Sequence, residues 1–121
     1  MKSVDEIIDY SKINELRNLD LINNGSFLNE IIDLYISQLN NLKKDIQCSF
    51  YKNEFSITSK AAHNLKGASL NLGAIALADI SKKIENQINE NYNEKIEELI
   101  AQLEPVSKIT TEILEEIKKN G

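Results

Sequence analysis

The chain has 121 residues, 41% of them hydrophobic, with four glycines, one proline and no tryptophan, which suits one domain with a core of its own. Its net charge of −5 argues against non-specific binding to nucleic acid or to an anionic membrane surface. The lone Cys48 excludes an internal disulfide and a cysteine-rich zinc site, and no apolar run is long enough to span a membrane.

Val4, Ile7 and Ile8 open the chain ahead of a short helix predicted over residues 11–21, with Asp9 or Ser11 as its cap. Asn23, Asn24 and Gly25 predict a turn. Ser26 then suits the N-cap of a long second helix reaching Tyr51, in which Leu28, Ile31, Ile32, Tyr35, Leu39, Leu42 and Ile46 recur at steps of three and four. Cys48 reads as a small, half-buried residue of this helix. Asn53 is placed as the cap of a third helix over 54–72, which Gly73 stops by taking the left-handed conformation.

A fourth helix is predicted over 75–91, with Leu77, Ile80, Ser81, Ile84 and Ile88 inward, and Asn91, Tyr92 and Asn93 form the next turn. The last helix, 94–119, carries a seam of Ile96, Leu99, Leu103, Val106, Thr110, Ile113 and Ile117. Pro105 lies inside it and predicts either a kink or two short helices broken near Glu104. The fold class is therefore all-α: an antiparallel up-and-down four-helix bundle with a short additional N-terminal helix, one domain over 1–121. The last seam would also suit a coiled-coil dimer, but closing the bundle needs that face inside, so a monomer is expected.

The third helix holds the only histidine. Its inward stripe is centred on Leu65, with Thr58, Ala61, Ala62, Ala68, Ser69 and Leu72 on the same side. His63 points about 160° away from Leu65, together with Gly67, Leu70 and Ala74, and is flanked by Lys60 and Lys66. A glycine inside a helix costs about 1 kcal/mol against alanine, so Gly67 weakens the helix while clearing the approach to the imidazole. Residues 52–83 hold five lysines against Glu54 and Asp79, a net +3 that leaves −8 elsewhere. The histidine thus lies in the one basic region of an acidic chain, suited to an anionic substrate or an acidic pocket.

A fold-back at Gly73 brings position 63 level with positions 83–85 on the fourth helix. Glu85 can then accept a hydrogen bond from one ring nitrogen, leaving the other unprotonated and outward as a nucleophile. Lys66 is placed to neutralise an anion held on the ring.

The run HNLKGASLNLGA from His63, with AA before it and KKIE after it, resembles the signature of histidine-containing phosphotransfer domains. The shared pattern is a histidine, a lysine at plus three, a glycine at plus four and a glycine at plus ten. The resemblance extends over nearly the whole chain, from the Ile8-Asp9 opening through the bundle. It implies that His63 accepts a phosphoryl group from an aspartyl phosphate on a response-regulator receiver domain, or from a sensor or hybrid histidine kinase, and passes it to another receiver. It implies roles beside the histidine for Lys66, Gly67 and Glu85, a turn role for Gly73, and a docking surface of Ser59, Lys60, Asn64, Leu70 and Ala74. It also implies that magnesium belongs to the receiver and that this chain binds no cofactor.

The chain has no glycine-rich nucleotide loop, so no ATPase or autokinase activity of its own is expected. One histidine and no Glu-x-x-His pair argue against a metal or haem bundle. The phosphoacceptor domain of a histidine kinase would place an acidic residue where Asn64 stands. A non-catalytic helical adaptor remains the plainer alternative, and it would survive loss of His63. The opening MKSVDEII lacks the basic and apolar blocks of a signal peptide, so the cytoplasm is the expected compartment.

Overall fold

The computed structural model describes residues 3–20, 27–90 and 95–120. It is helical throughout: α1 (Val4–Ile7), α2 (Tyr10–Asp20), α3 (Phe27–Tyr51), α4 (Phe55–Leu72), α5 (Ile75–Asn89) and α6 (Ile96–Asn120). Helices α3 to α6 close a four-sided bundle in which α4 packs on α3 and α5, and α6 packs on the same two from the other side. Cross-helix bonds fix the directions. Tyr35 meets Ser69 and Ser49 meets Thr58, so α3 and α4 are antiparallel. Ser59 meets Asn89 and His63 meets Glu85, so α4 and α5 are antiparallel as well. Asp33 pairs with Lys118 and Gln47 with Glu104, which sets α6 against α3 in the same sense. No helix among the described residues is long and apolar enough to cross a membrane.

One core runs through the bundle. Ile32, Leu39, Ile46, Leu65, Leu77, Ile84, Ile96 and Leu103 are fully buried, and each such side chain contributes roughly 2 kcal/mol through the apolar surface it removes from water. Two hydroxyl pairs cross it. Tyr35 and Ser69 share a hydrogen bond of 2.7 Å, and Ser49 and Thr58 one of 2.6 Å, so these buried polar groups are satisfied. Burial pushes the Tyr35 hydroxyl well above its ordinary range and keeps it protonated.

The N-terminal segment braces the α4–α5 turn. Ile7, Ile8 and Ile13 enter the core, and α1 packs on α5 and α6. Asp9 caps α2, its Oδ1 accepting from the Ser11 N–H at 3.0 Å and from the Ser11 hydroxyl at 2.7 Å. Those hydrogen bonds hold its carboxyl below the ordinary carboxylate value. The Asp9 N–H in turn donates to the Gly73 carbonyl at 2.8 Å.

Several expectations are revised. The single turn α1 was not foreseen, and α2 begins at Tyr10, so of the two proposed caps it is Asp9 that acts. Asn53 does not cap α4: Glu54 occupies that place without a side-chain bond, while Asn53 takes φ of 60°, a left-handed turn conformation that asparagine tolerates. Cys48 is exposed. Helix α5 ends at Asn89, two residues early. Helix α6 runs unbroken through Pro105, so the reading of two helices broken near Glu104 fails. The proline is exposed, where water can meet the carbonyl it leaves unpaired.

The α6 stripe is also rotated. Ile96, Leu103, Thr110 and Ile117 are inward as expected, but Ile100, Ser107 and Leu114 fill the intervening positions, with Leu99, Val106 and Ile113 half-buried at the edge. Both sides of that face are apolar, and the inward packing of Ile100 and Leu114 carries Ser107 in with them. The turn predicted at Asn23–Gly25, the Ser26 cap and the turn at Asn91–Asn93 lie outside the described residues.

Gly73 is the hinge of this arrangement. Its φ of 86° is left-handed, with its N–H donating to the Leu70 carbonyl and the Ala74 N–H to that of Ser69. A Cβ built there would stand 2.9 Å from Lys12 Cβ and 3.0 Å from the Asp9 carbonyl oxygen. Gly73→Ala is expected to destabilise the protein by about 2 kcal/mol or more, combining the left-handed penalty with the clash, as measured by urea denaturation.

Candidate functional site

Leu65, Ala61, Ala62 and Leu72 anchor α4 in the core and thereby turn His63 outward. Its side chain is 62% exposed. The fold-back at Gly73 sets Glu85 against it, and Nδ1 lies 2.9 Å from Glu85 Oε2. A carboxylate can only accept, so Nδ1 carries the hydrogen and donates. In a neutral ring Nε2 then bears the free lone pair, and no described residue bonds it.

The other oxygen of the same carboxylate, Oε1, accepts from Lys66 Nζ at 3.1 Å. Lys66 was expected to stand ready for an anion on the ring, but its ammonium is paired with Glu85. That pairing has a clear cause: Glu85 is only 17% exposed, and a carboxylate so covered needs a compensating cation.

The remaining predicted residues fall into separate places. Gly67 is exposed and a Cβ built on it meets nothing within 4 Å, so the backbone beside the ring is bare. Asn64 is exposed and faces a groove towards α3, lined also by Ile31, Leu34, Gln38, Ala68 and Asn71. Ser59 and Lys60 line a different hollow, of about 410 Å³, on the α5 side of the ring with Phe55, Ser56, Glu85, Ile88 and Asn89. Leu70 is exposed on a third patch beside Ile75 and Lys82.

Ala74 does not belong to any of these. It was expected on the docking face, yet it is fully buried because the helix ends at Leu72, two residues before it, and the chain turns inward to start α5. Helical angles extrapolated past Gly73 do not apply there. Asn89 and Ser56 were missed. Asn89 stands one turn beyond Glu85 on the same helix face, a spacing that could have revealed it. Among the described residues no group of three side chains could hold a metal ion.

The Hpt domain family model matches residues 30–118, which covers nearly all of α3, α4, α5 and nearly all of α6 with every residue of the site. The chain belongs to the Hpt domain family. The fold of this Hpt chain is similar to the crystal structure of histidine-containing phosphotransfer protein B (HptB) from Pseudomonas aeruginosa PAO1. The TM-score is 0.82 at 18% identity, covering 98% of this chain and 99% of that one. No curated protein matches it in sequence.

Two outcomes follow from this geometry. In Glu85→Ala the ring loses its acceptor, so the fixed Nδ1–H form should relax to the mixture usual for a free histidine, read from the ¹⁵N shifts of the two ring nitrogens. Gly67→Ala fills open space in a helix interior and should raise stability by about 0.5–1 kcal/mol in chemical denaturation.

Proposed function

We propose that this Hpt chain is the histidine phosphocarrier of a phosphorelay, accepting a phosphoryl group on His63 Nε2 from a phosphorylated receiver domain or kinase and passing it to another receiver. The observation that carries this reading is the exposed imidazole with its Nδ1–H held by Glu85. In the accepting step the Nε2 lone pair attacks phosphorus, an N–P bond forms, and the P–O bond to the donor's aspartate breaks, releasing a carboxylate. The ring becomes positively charged while Nδ1 keeps its hydrogen. Glu85 faces that charge, so the acceptor that orients the ring also stabilises the phosphorylated form. The donating step reverses these bonds with a second aspartate.

The chain supplies a positioned nucleophile, and approach and in-line placement do the rest. Gly67 and the groove from Asn64 to Leu34 form the surface over which we dock the receiver, with the lysines of the region complementary to its acidic pocket. We assign the magnesium to that receiver, the working form to a monomer and the compartment to the cytoplasm.

His63→Gln should fold with unchanged helical content and accept no phosphoryl group from any phosphorylated receiver, as followed by radiolabel transfer. Gly67→Glu should also fold but transfer several-fold more slowly, because the new side chain stands where the partner must approach. Wild-type transfer rates in Gly67→Glu would refute the docking surface.

A further inference from the structure

The hollow beside His63 contains groups that the transfer chemistry so far does not use. Helical side chains lean towards the N-terminus of their helix, so the imidazole tilts over the preceding turn, where Ser59 and Lys60 lie, and away from Gly67. The lining agrees: His63 shares this hollow with Ser56, Ser59, Lys60 and Asn89, over a floor of Phe55 and Ile88. Lys66 lies one turn the other way and lines a separate patch with Leu70 and Lys82.

The hydrogen bonds in the hollow define what it can still bind. The Ser59 hydroxyl has one hydrogen and donates it to Asn89 Oδ1 at 3.0 Å. That bond occupies the amide oxygen, so the amide nitrogen of Asn89 keeps both hydrogens for another acceptor. Lys60 is exposed, with no ion pair among the described residues. An ammonium, an amide NH₂ and the Ser56 hydroxyl therefore line the same hollow as His63, and all can donate. Glu85 is the one carboxylate lining the hollow, and both of its oxygens are engaged by His63 and Lys66.

We propose that this hollow is the resting place of the phosphoryl group once it is on His63, held by Lys60, Asn89 and Ser56, while Lys66 stays with Glu85. Ser59 is a positioning residue that sets the Asn89 amide. The proposal rests on the phosphocarrier reading and deepens it, because it separates the cation that meets the phosphoryl group from the cation that balances the carboxylate.

The test loads His63 of the full chain with phosphoramidate, in which the donor's P–N bond breaks, a new N–P bond forms at Nε2 and ammonia leaves. Nuclear magnetic resonance of the side chains should then show the Asn89 amide and the Lys60 ammonium shifting strongly while the Lys66 ammonium hardly moves. Ser59→Ala should blunt the Asn89 response. Lys60→Met should lower the phosphorylated fraction at equilibrium with a phosphorylated receiver by about threefold to fivefold, the upper range for an exposed ion pair. A strong Lys66 response with Asn89 and Lys60 unmoved, or a Lys60→Met partition equal to wild type, would overturn the proposal. Loading by phosphoramidate but by no receiver would refute the phosphocarrier reading and leave the hollow standing. A His63 that phosphoramidate cannot load would refute both.

Discussion

One carboxylate shared between two helices governs the functional surface. Glu85 reaches from α5 to α4 and binds His63 with one oxygen and Lys66 with the other. Neither bond adds much stability, since a partly exposed ion pair contributes at most about 1 kcal/mol. Their joint effect is orientational. A ring held at Nδ1 presents Nε2 in one direction, and a carboxylate held at both oxygens cannot swing away from it. The lysine compensates the charge of a carboxylate that is largely covered, so the three side chains form a unit whose members act through one another.

That unit depends on the register between α4 and α5, which is set at Gly73. The left-handed glycine ends α4 and lets α5 start within two residues, so the ladder Ser59–Asn89, His63–Glu85 follows from helical rise alone. The turn is also clamped from outside. Asp9 binds the Gly73 carbonyl through its own N–H and caps α2 with its side chain. The N-terminal helices thus belong to the active surface mechanically, although α1 and α2 contribute no group to it.

Most of this was legible in the sequence because it follows from periodicity and a few residues of restricted conformational use. The bundle, the outward histidine, the Gly73 stop and the partnership of positions 63 and 85 all come from counting turns. The errors lie where counting ends. Ala74 was extrapolated past a glycine that breaks the helical phase. The α6 stripe was read by hydropathy, which preferred Val106 to Ser107, whereas packing of Ile100 and Leu114 decides the rotation. Asn53 has a side chain suited to capping, but its left-handed backbone was invisible without the course of the chain around it. The pairing of Lys66 with Glu85 was missed because the need for a cation arises from burial, which no spacing reports.

The placement of α6 has a practical consequence. It packs on α3 and α5, diagonally across the bundle from the helix that carries the histidine, and its outer face of Lys108, Ile109 and Glu112 is exposed. A fluorophore, spin label or surface tether attached along that face would sit at the back of the molecule, so encounters could be followed in real time with the front left clear.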